Sequence, residues 1–116
     1  MLKMKNIFLK LYGPYVYYFM TQKTDGRLST FSKKVQIIND LGLHARAAAT
    51  IARIAQKAKS TIWIVKENEK ADAASVIDIL TLECTKGSWV MLQSENPVDH
   101  HVLHDIVESI QSGFGE

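Results

Sequence analysis

A single cysteine, Cys84, is the only thiol in 116 residues, which excludes an intrachain disulfide and a thiolate-built metal cluster. Such a chain fits a reducing compartment, and a cytoplasmic location is expected. An excess of one charge is also lacking: 14 lysines and arginines face 12 acidic residues, for a net charge of +2. The basic residues are scattered rather than run together, so a nucleic-acid partner is not expected. No long apolar run exists either. The most apolar stretch, Phe8 to Met20, is broken by Lys10 and by Gly13-Pro14, is too short to span a bilayer, and lacks a small-residue cleavage site of the signal-peptide kind. A glycine-rich nucleotide loop is absent as well. What remains is ordinary globular composition, 47% apolar and 22% charged, at a length that suits one compact domain with one site.

That domain is expected to begin near Lys33. All four tyrosines (Tyr12, Tyr15, Tyr17, Tyr18), with Phe8 and Phe19, crowd into residues 8 to 19, and this composition does not recur. The polar stretch Thr21 to Thr30 that follows reads as a solvated linker. Residues 1–32 therefore read as an N-terminal extension, flexible or arising from a start upstream of the native one at Met20, with an anchor to a membrane surface or partner as the other reading.

From residue 33 the hydrophobic period changes in a regular order. Val35 and Ile37 alternate with Lys34 and Gln36, a strand pattern ending before Asn39-Asp40. Over residues 45 to 58, Ala48, Ile51, Ala52, Ala55 and Ala58 share one face, an amphipathic helix. Ile62 and Ile64 mark a second strand, and Lys66 to Glu69 turns into a weaker third over residues 70 to 73. Ser75 with Asp78 three residues later forms a capping-box-like start to a short helix that ends before Lys86-Gly87. Trp89 to Gln93 is a further strand. Asn96-Pro97 opens a last helix whose stripe is Val102, Leu103, Ile106, Val107 and Ile110. The order β-α-β-β-α-β-α predicts a two-layer α+β domain, an antiparallel sheet with helices on one face.

The chemistry concentrates at Gly42-Leu43-His44-Ala45-Arg46, where a polar loop becomes a helix. His44 falls at the N-cap and Arg46 in the first turn. The first N–H groups of a helix lack internal acceptors and carry positive partial charge, so the backbone of Ala45 and Arg46 together with the Arg46 guanidinium forms an anion site beside His44. A neutral imidazole there keeps a lone pair to attack phosphorus. On residue types alone the alternative is the favoured one, that His44 only caps the helix and Arg46 is a surface charge.

The same residues, followed by Ala47-Ala48, resemble the phosphoacceptor signature of the HPr proteins of the bacterial phosphotransferase system, Gly-Leu-His-Ala-Arg-Pro-Ala. Counting on without a gap, Ile62 and Ile64 fall at that family's second-strand core positions, Ser75 on its second phosphorylation site and Lys86-Gly87 on the turn before its last strand. The resemblance covers about residues 33 to 114, and the Gly-Phe-Gly-Glu ending is similar to that of several members. It implies an open-faced sandwich of four antiparallel strands and three helices over residues 33–116. It implies, too, that His44 accepts a phosphoryl group on Nδ1 from Enzyme I and passes it to IIA components of the sugar phosphotransferase system. Such a protein is a stoichiometric carrier rather than an enzyme, a monomer, and needs no cofactor or metal. One departure is Ala47, which stands where the signature has proline; it leaves one more N–H in the first turn.

Ser75 has two compatible readings. It caps the short helix, and by the resemblance it is a regulatory site for HPr kinase, where a phosphate would repel acidic partners. The second reading carries an alternative function, a docking regulator of carbon or nitrogen signalling with little sugar transport. Ala47, Val76, Ile77 and Leu80 are assigned to partner docking, with Ile79 and Leu82 directed inward and Asp78 a charge that narrows partner choice. His100, His101 and His104 read as surface histidines, and Cys84 as a small buried hydrophobe.

Overall fold

The structure, a computed structural model, describes the backbone at residues 10–11, 16–22 and 28–116 and side chains from Phe31 onward. Six strands form one antiparallel sheet: β1 (Lys10–Leu11), β2 (Val16–Gln22), β3 (Leu28–Gln36), β4 (Ile62–Lys66), β5 (Glu69–Asp72) and β6 (Trp89–Ser94), in the spatial order β1-β2-β3-β6-β4-β5. Helices α1 (Ala45–Ala55), α2 (Val76–Thr81) and α3 (His100–Gln111) complete it. The last four strands in that spatial order, with the three helices, are the expected open-faced α+β sandwich.

Beyond that core, β2 pairs along the whole of β3, from Val16 opposite Val35 to Gln22 opposite Leu28. The stretch read as a linker is therefore partly strand, since Thr21 and Gln22 close β2 and Leu28 to Thr30 open β3. Polar composition concealed this pairing because strand pairing is made by backbone hydrogen bonds, which polar residues supply as well as apolar ones. The readings of residues 1–9, 12–15 and 23–27, and of the aromatic side chains before Phe31, lie outside what is described.

Alternation puts Val35 on β3, Ile62 and Ile64 on β4, and Val90 and Leu92 on β6 into the interior, where α1 contributes Ala48 and Ile51 and α3 contributes Leu103, Ile106 and Ile110. Each fully buried Ile or Leu stabilises the fold by roughly 1.5–3 kcal/mol. The helix read over residues 45 to 58 stops at Ala55; Ala58 still packs against the core from the turn that follows. Asp99, 1% exposed, ties that turn to α3 by accepting from the backbone N–H of Lys59 at 2.7 Å and of Ser60 at 2.9 Å. The helix expected at Pro97 begins as a 3-10 turn over Pro97–Asp99, capped by the Asn96 side chain, which accepts from the N–H of Val98 at 3.0 Å.

Candidate functional site

The loop before α1 is held rigidly. Gly42 has φ +65, and a Cβ at that position would lie 2.3 Å from the carbonyl oxygen of Cys84, so only glycine fits. The next residue, Leu43, donates its N–H to the same carbonyl at 2.9 Å. The Ile37 N–H bonds the Ser88 carbonyl at 2.8 Å and the Gly87 N–H bonds the Ile37 carbonyl at 2.7 Å, fastening the start of the loop to the turn before β6. An exposed ion pair, Lys86 to Asp40 at 2.7 Å, spans the same gap and holds the Asp40 carboxyl below its ordinary range.

On this support His44 is the N-cap of α1, in extended conformation, and its Nδ1 accepts the N–H of Arg46 at 3.3 Å. Nδ1 therefore faces the helix N-terminus, where the N–H groups of Ala45, Arg46 and Ala47 have no acceptor within the helix. The other ring nitrogen, Nε2, contacts the carboxylate of Glu116. That carboxylate also accepts from the Arg46 guanidinium at 2.7 Å and from Asn39 Nδ2 at 3.2 Å. The hydrogen bond from His44, reinforced by Asn39 and by the charge of Arg46, holds the Glu116 carboxyl below its ordinary value against a weaker opposing effect of burial.

Sequence reasoning brought His44, Ala45 and Arg46 together and missed Asn39 and Glu116. Glu116 is 72 positions from His44 and arrives through the turn Gly113–Gly115, in which a Cβ added at Gly113 would lie 3.7 Å from the Asn39 side chain. The Gly-Phe-Gly-Glu ending was the one available signal, read for its resemblance and not for its chemistry.

Around the site, Ile77 is 71% exposed and Leu80 37%, while Ile79 and Leu82 are buried. Val76 is half-buried against the core. Ala47 corrects the docking assignment: it is fully buried, because the helical phase that carries Ala48 and Ile51 inward carries Ala47 with them. Leu41, in the loop ahead of His44, is 69% exposed and was not singled out from the sequence. Ser75 caps α2, its hydroxyl oxygen accepting the N–H of Asp78 at 3.2 Å, and the Asp78 side chain is exposed.

The remaining histidines are separate from this site. His100 is not a plain surface residue: its ring lies 4.0 Å from that of Phe31, and burial together with the charge of Lys33 lowers its pKa. His101 is exposed and His104 pairs with Glu108 at 3.1 Å. Among the described residues no group of three or more His, Cys, Asp or Glu side chains is placed to hold a metal ion. Cys84 is buried, and burial pushes its thiol pKa up, away from reactivity.

Residues 31–112 match the family model described as the PTS HPr component phosphorylation site. The chain is 35% identical over 89 residues to the phosphocarrier protein NPr of Shewanella violacea, covering 77% of this chain and 98% of that one. It is 29% identical over 84 residues to the phosphocarrier protein HPr of Neisseria meningitidis, covering 72% of this chain and 94% of that one. Among solved structures, HPr-C-His from Thermoanaerobacter tengcongensis superposes with a TM-score of 0.67 at 36% identity, covering 73% of this chain and 96% of that chain. With a family model spanning residues 31–112 and a relative 35% identical over 77% of its length, this chain belongs to the HPr phosphocarrier family of the bacterial phosphotransferase system.

Proposed function

We propose that His44 takes a phosphoryl group on Nδ1 from phosphorylated Enzyme I and passes it to IIA components of the sugar phosphotransferase system, the chain acting as a stoichiometric cytoplasmic carrier. The functional unit on this reading is residues 33–116, with residues 1–32 an extension of it. The observation that carries the proposal is the two-sided arrangement of His44, Nδ1 toward the N-terminus of α1 and Nε2 against the Glu116 carboxylate. Donation of Nε2–H to a carboxylate fixes the tautomer that keeps the lone pair on Nδ1, where it accepts the Arg46 N–H at 3.3 Å until an incoming phosphoryl group displaces that contact.

In the transfer step the Nδ1–P bond forms as the donor's own N–P bond breaks. The donor ring returns to neutral imidazole, and the His44 ring, retaining its Nε2 proton, becomes a phosphorylated imidazolium. Glu116 faces that new positive charge. Arg46 and the backbone N–H groups of Ala45 and Arg46 face the phosphoryl oxygens. These roles need no cofactor in the chain itself. Ile77 and Leu80, with Val76 partly covered, offer the apolar surface against which Enzyme I and the IIA proteins would dock, and the chain acts as a monomer.

Transfer of labelled phosphate from phosphoenolpyruvate through the cognate Enzyme I tests this. Acid-labile label on the wild-type chain and none on His44→Ala is the expected result. An unlabelled wild type beside an active Enzyme I control would overturn it.

A second reading rests on Ser75, which caps α2 at the border of exposed Ile77. A phosphate placed there by HPr kinase would set a dianion beside the docking surface and make the chain a regulator of carbon or nitrogen signalling. Mass spectrometry after incubation with the kinase tests it; an unmodified Ser75 beside a modified control HPr would remove it.

A further inference from the structure

We infer that Asn39 is a positioning residue for the phosphoacceptor, acting through Glu116; the inference deepens the carrier reading and rests on it. Asn39 is 5% exposed, and its Nδ2 makes two hydrogen bonds, to the Gly42 carbonyl at 2.8 Å and to Glu116 Oε1 at 3.2 Å. Both partners are acceptors, so the orientation of the amide is fixed: turning it over would set Oδ1 against two oxygens. Its Oδ1 is buried without a hydrogen bond among the described residues, so the side chain is held by its donor end alone.

The geometry forms a chain of contacts. Asn39 Nδ2 holds Oε1 of Glu116, which leaves Oε2 for His44 Nε2 and Arg46. The same amide grips the carbonyl of Gly42, two residues before His44. One buried group thus sets the distance between the loop that carries the nucleophile and the terminal turn that carries its carboxylate. Without it, Glu116 keeps only exposed Arg46 and His44 itself to locate it. A carboxylate anchored only by the ring it must orient and by an exposed, mobile guanidinium cannot hold that ring in one tautomer as well as one anchored by a buried donor.

Asn39 touches neither the ring nor the site of the incoming phosphoryl group, so its effect must pass through its two partners, Glu116 and the Gly42 carbonyl, and of these Glu116 is the one that contacts the ring. The test is a double-mutant cycle on single-turnover phosphotransfer from phosphorylated Enzyme I, using Asn39→Ala, Glu116→Gln and the pair, with Asn39→Asp as the isosteric variant. Asn39→Ala is expected to slow the transfer step about fivefold with half-saturation by Enzyme I unchanged, and to slow it by a clearly smaller factor in the Glu116→Gln background, where only the hold on the Gly42 carbonyl and on a neutral amide is left to lose. Asn39→Asp, which sets a carboxylate against Glu116, should slow it at least as much. Independent, multiplicative losses in the double mutant would overturn the inference. So would a slowed Asn39→Ala whose defect lies wholly in half-saturation.

A second readout does not depend on transfer. In histidine selectively labelled with nitrogen-15, the His44 Nε2 proton should be protected from exchange in the wild type and lose that protection in Asn39→Ala and Asn39→Asp. Equal protection in all three would refute the role of Asn39 even if wild-type His44 accepted no phosphoryl group, a result that would refute the carrier reading separately.

Discussion

Lys33 gives a pH dependence that can be worked from the structure. It lies on the inward side of β3, 2% exposed, its ammonium 5.4 Å from the Phe31 ring. Burial lowers its pKa from 10.5 to about 7, against the opposing pull of Asp105 and Glu108 on α3. His100, packed on Phe31, is the other titratable group in this neighbourhood. Because the folded value is lowered, the unfolded chain binds more protons than the native one between about pH 7 and 10.5, and stability rises with pH across that window. One such group contributes about 2 kcal/mol between pH 7 and pH 9, since the unfolded lysine stays charged while the native one loses its proton. Lys33→Met removes the titration, and at pH 7 it should raise the unfolding free energy by about 2 kcal/mol, the loss of attraction to Asp105 and Glu108 keeping the gain below the full burial penalty. Urea unfolding followed by the fluorescence of Trp63 and Trp89, for both proteins at both pH values, measures this directly. Parallel pH profiles for wild type and Lys33→Met would refute the reasoning.

Gly42→Ala should destabilise by more than about 2 kcal/mol, because the added Cβ meets the Cys84 carbonyl at 2.3 Å on a backbone with positive φ; thermal unfolding reads it, and a change below half that size would contradict the close approach. Ser75→Ala should cost about 1 kcal/mol through loss of the cap on Asp78, while Ser75→Asp, which keeps an acceptor, should cost less; equal losses would separate Ser75 from its capping role. Ala47→Pro should change stability by less than about 1 kcal/mol, since the N–H it removes has no partner within the helix, and phosphotransfer should survive in both proteins. A chain that transfers phosphate only after proline is restored would overturn the view that Ala47 is tolerated.

The legible parts of the fold were those whose signal is local and periodic. Ala48, Ile51, Ala52 and Ala55 recur at helical spacing and are buried, and Ser75 with Asp78 announced the cap that α2 uses. The β2–β3 pairing was not legible, because backbone bonds hold it without apolar alternation and Lys33 sits where an apolar residue would have signalled it. Half of the site was legible for the same reason. His44 and Arg46 are neighbours on one helix start, whereas Asn39 and Glu116 meet only after α3 and the turn at Gly113 bring the end of the chain back across the loop. No spacing rule encodes a contact across 77 positions.

On the carrier reading, that closing contact also bears on how tightly the phosphoryl group is held. A relay fails if the phosphorylated state is too stable to give its group away, just as it fails if that state is never reached. Among the described residues Arg46 is the one guanidinium at the site, and in the resting protein it is shared between solvent and the Glu116 carboxylate, its side chain 62% exposed. Where turning toward phosphoryl oxygens on Nδ1 breaks the Nη2 bond to Glu116, the loss of that ion pair is subtracted from whatever the new contact contributes. Glu116 in turn gains a nearby positive charge when the ring becomes an imidazolium. The two changes, one on each side of the same carboxylate, have opposite sign, and on the carrier reading such opposition favours transfer in both directions.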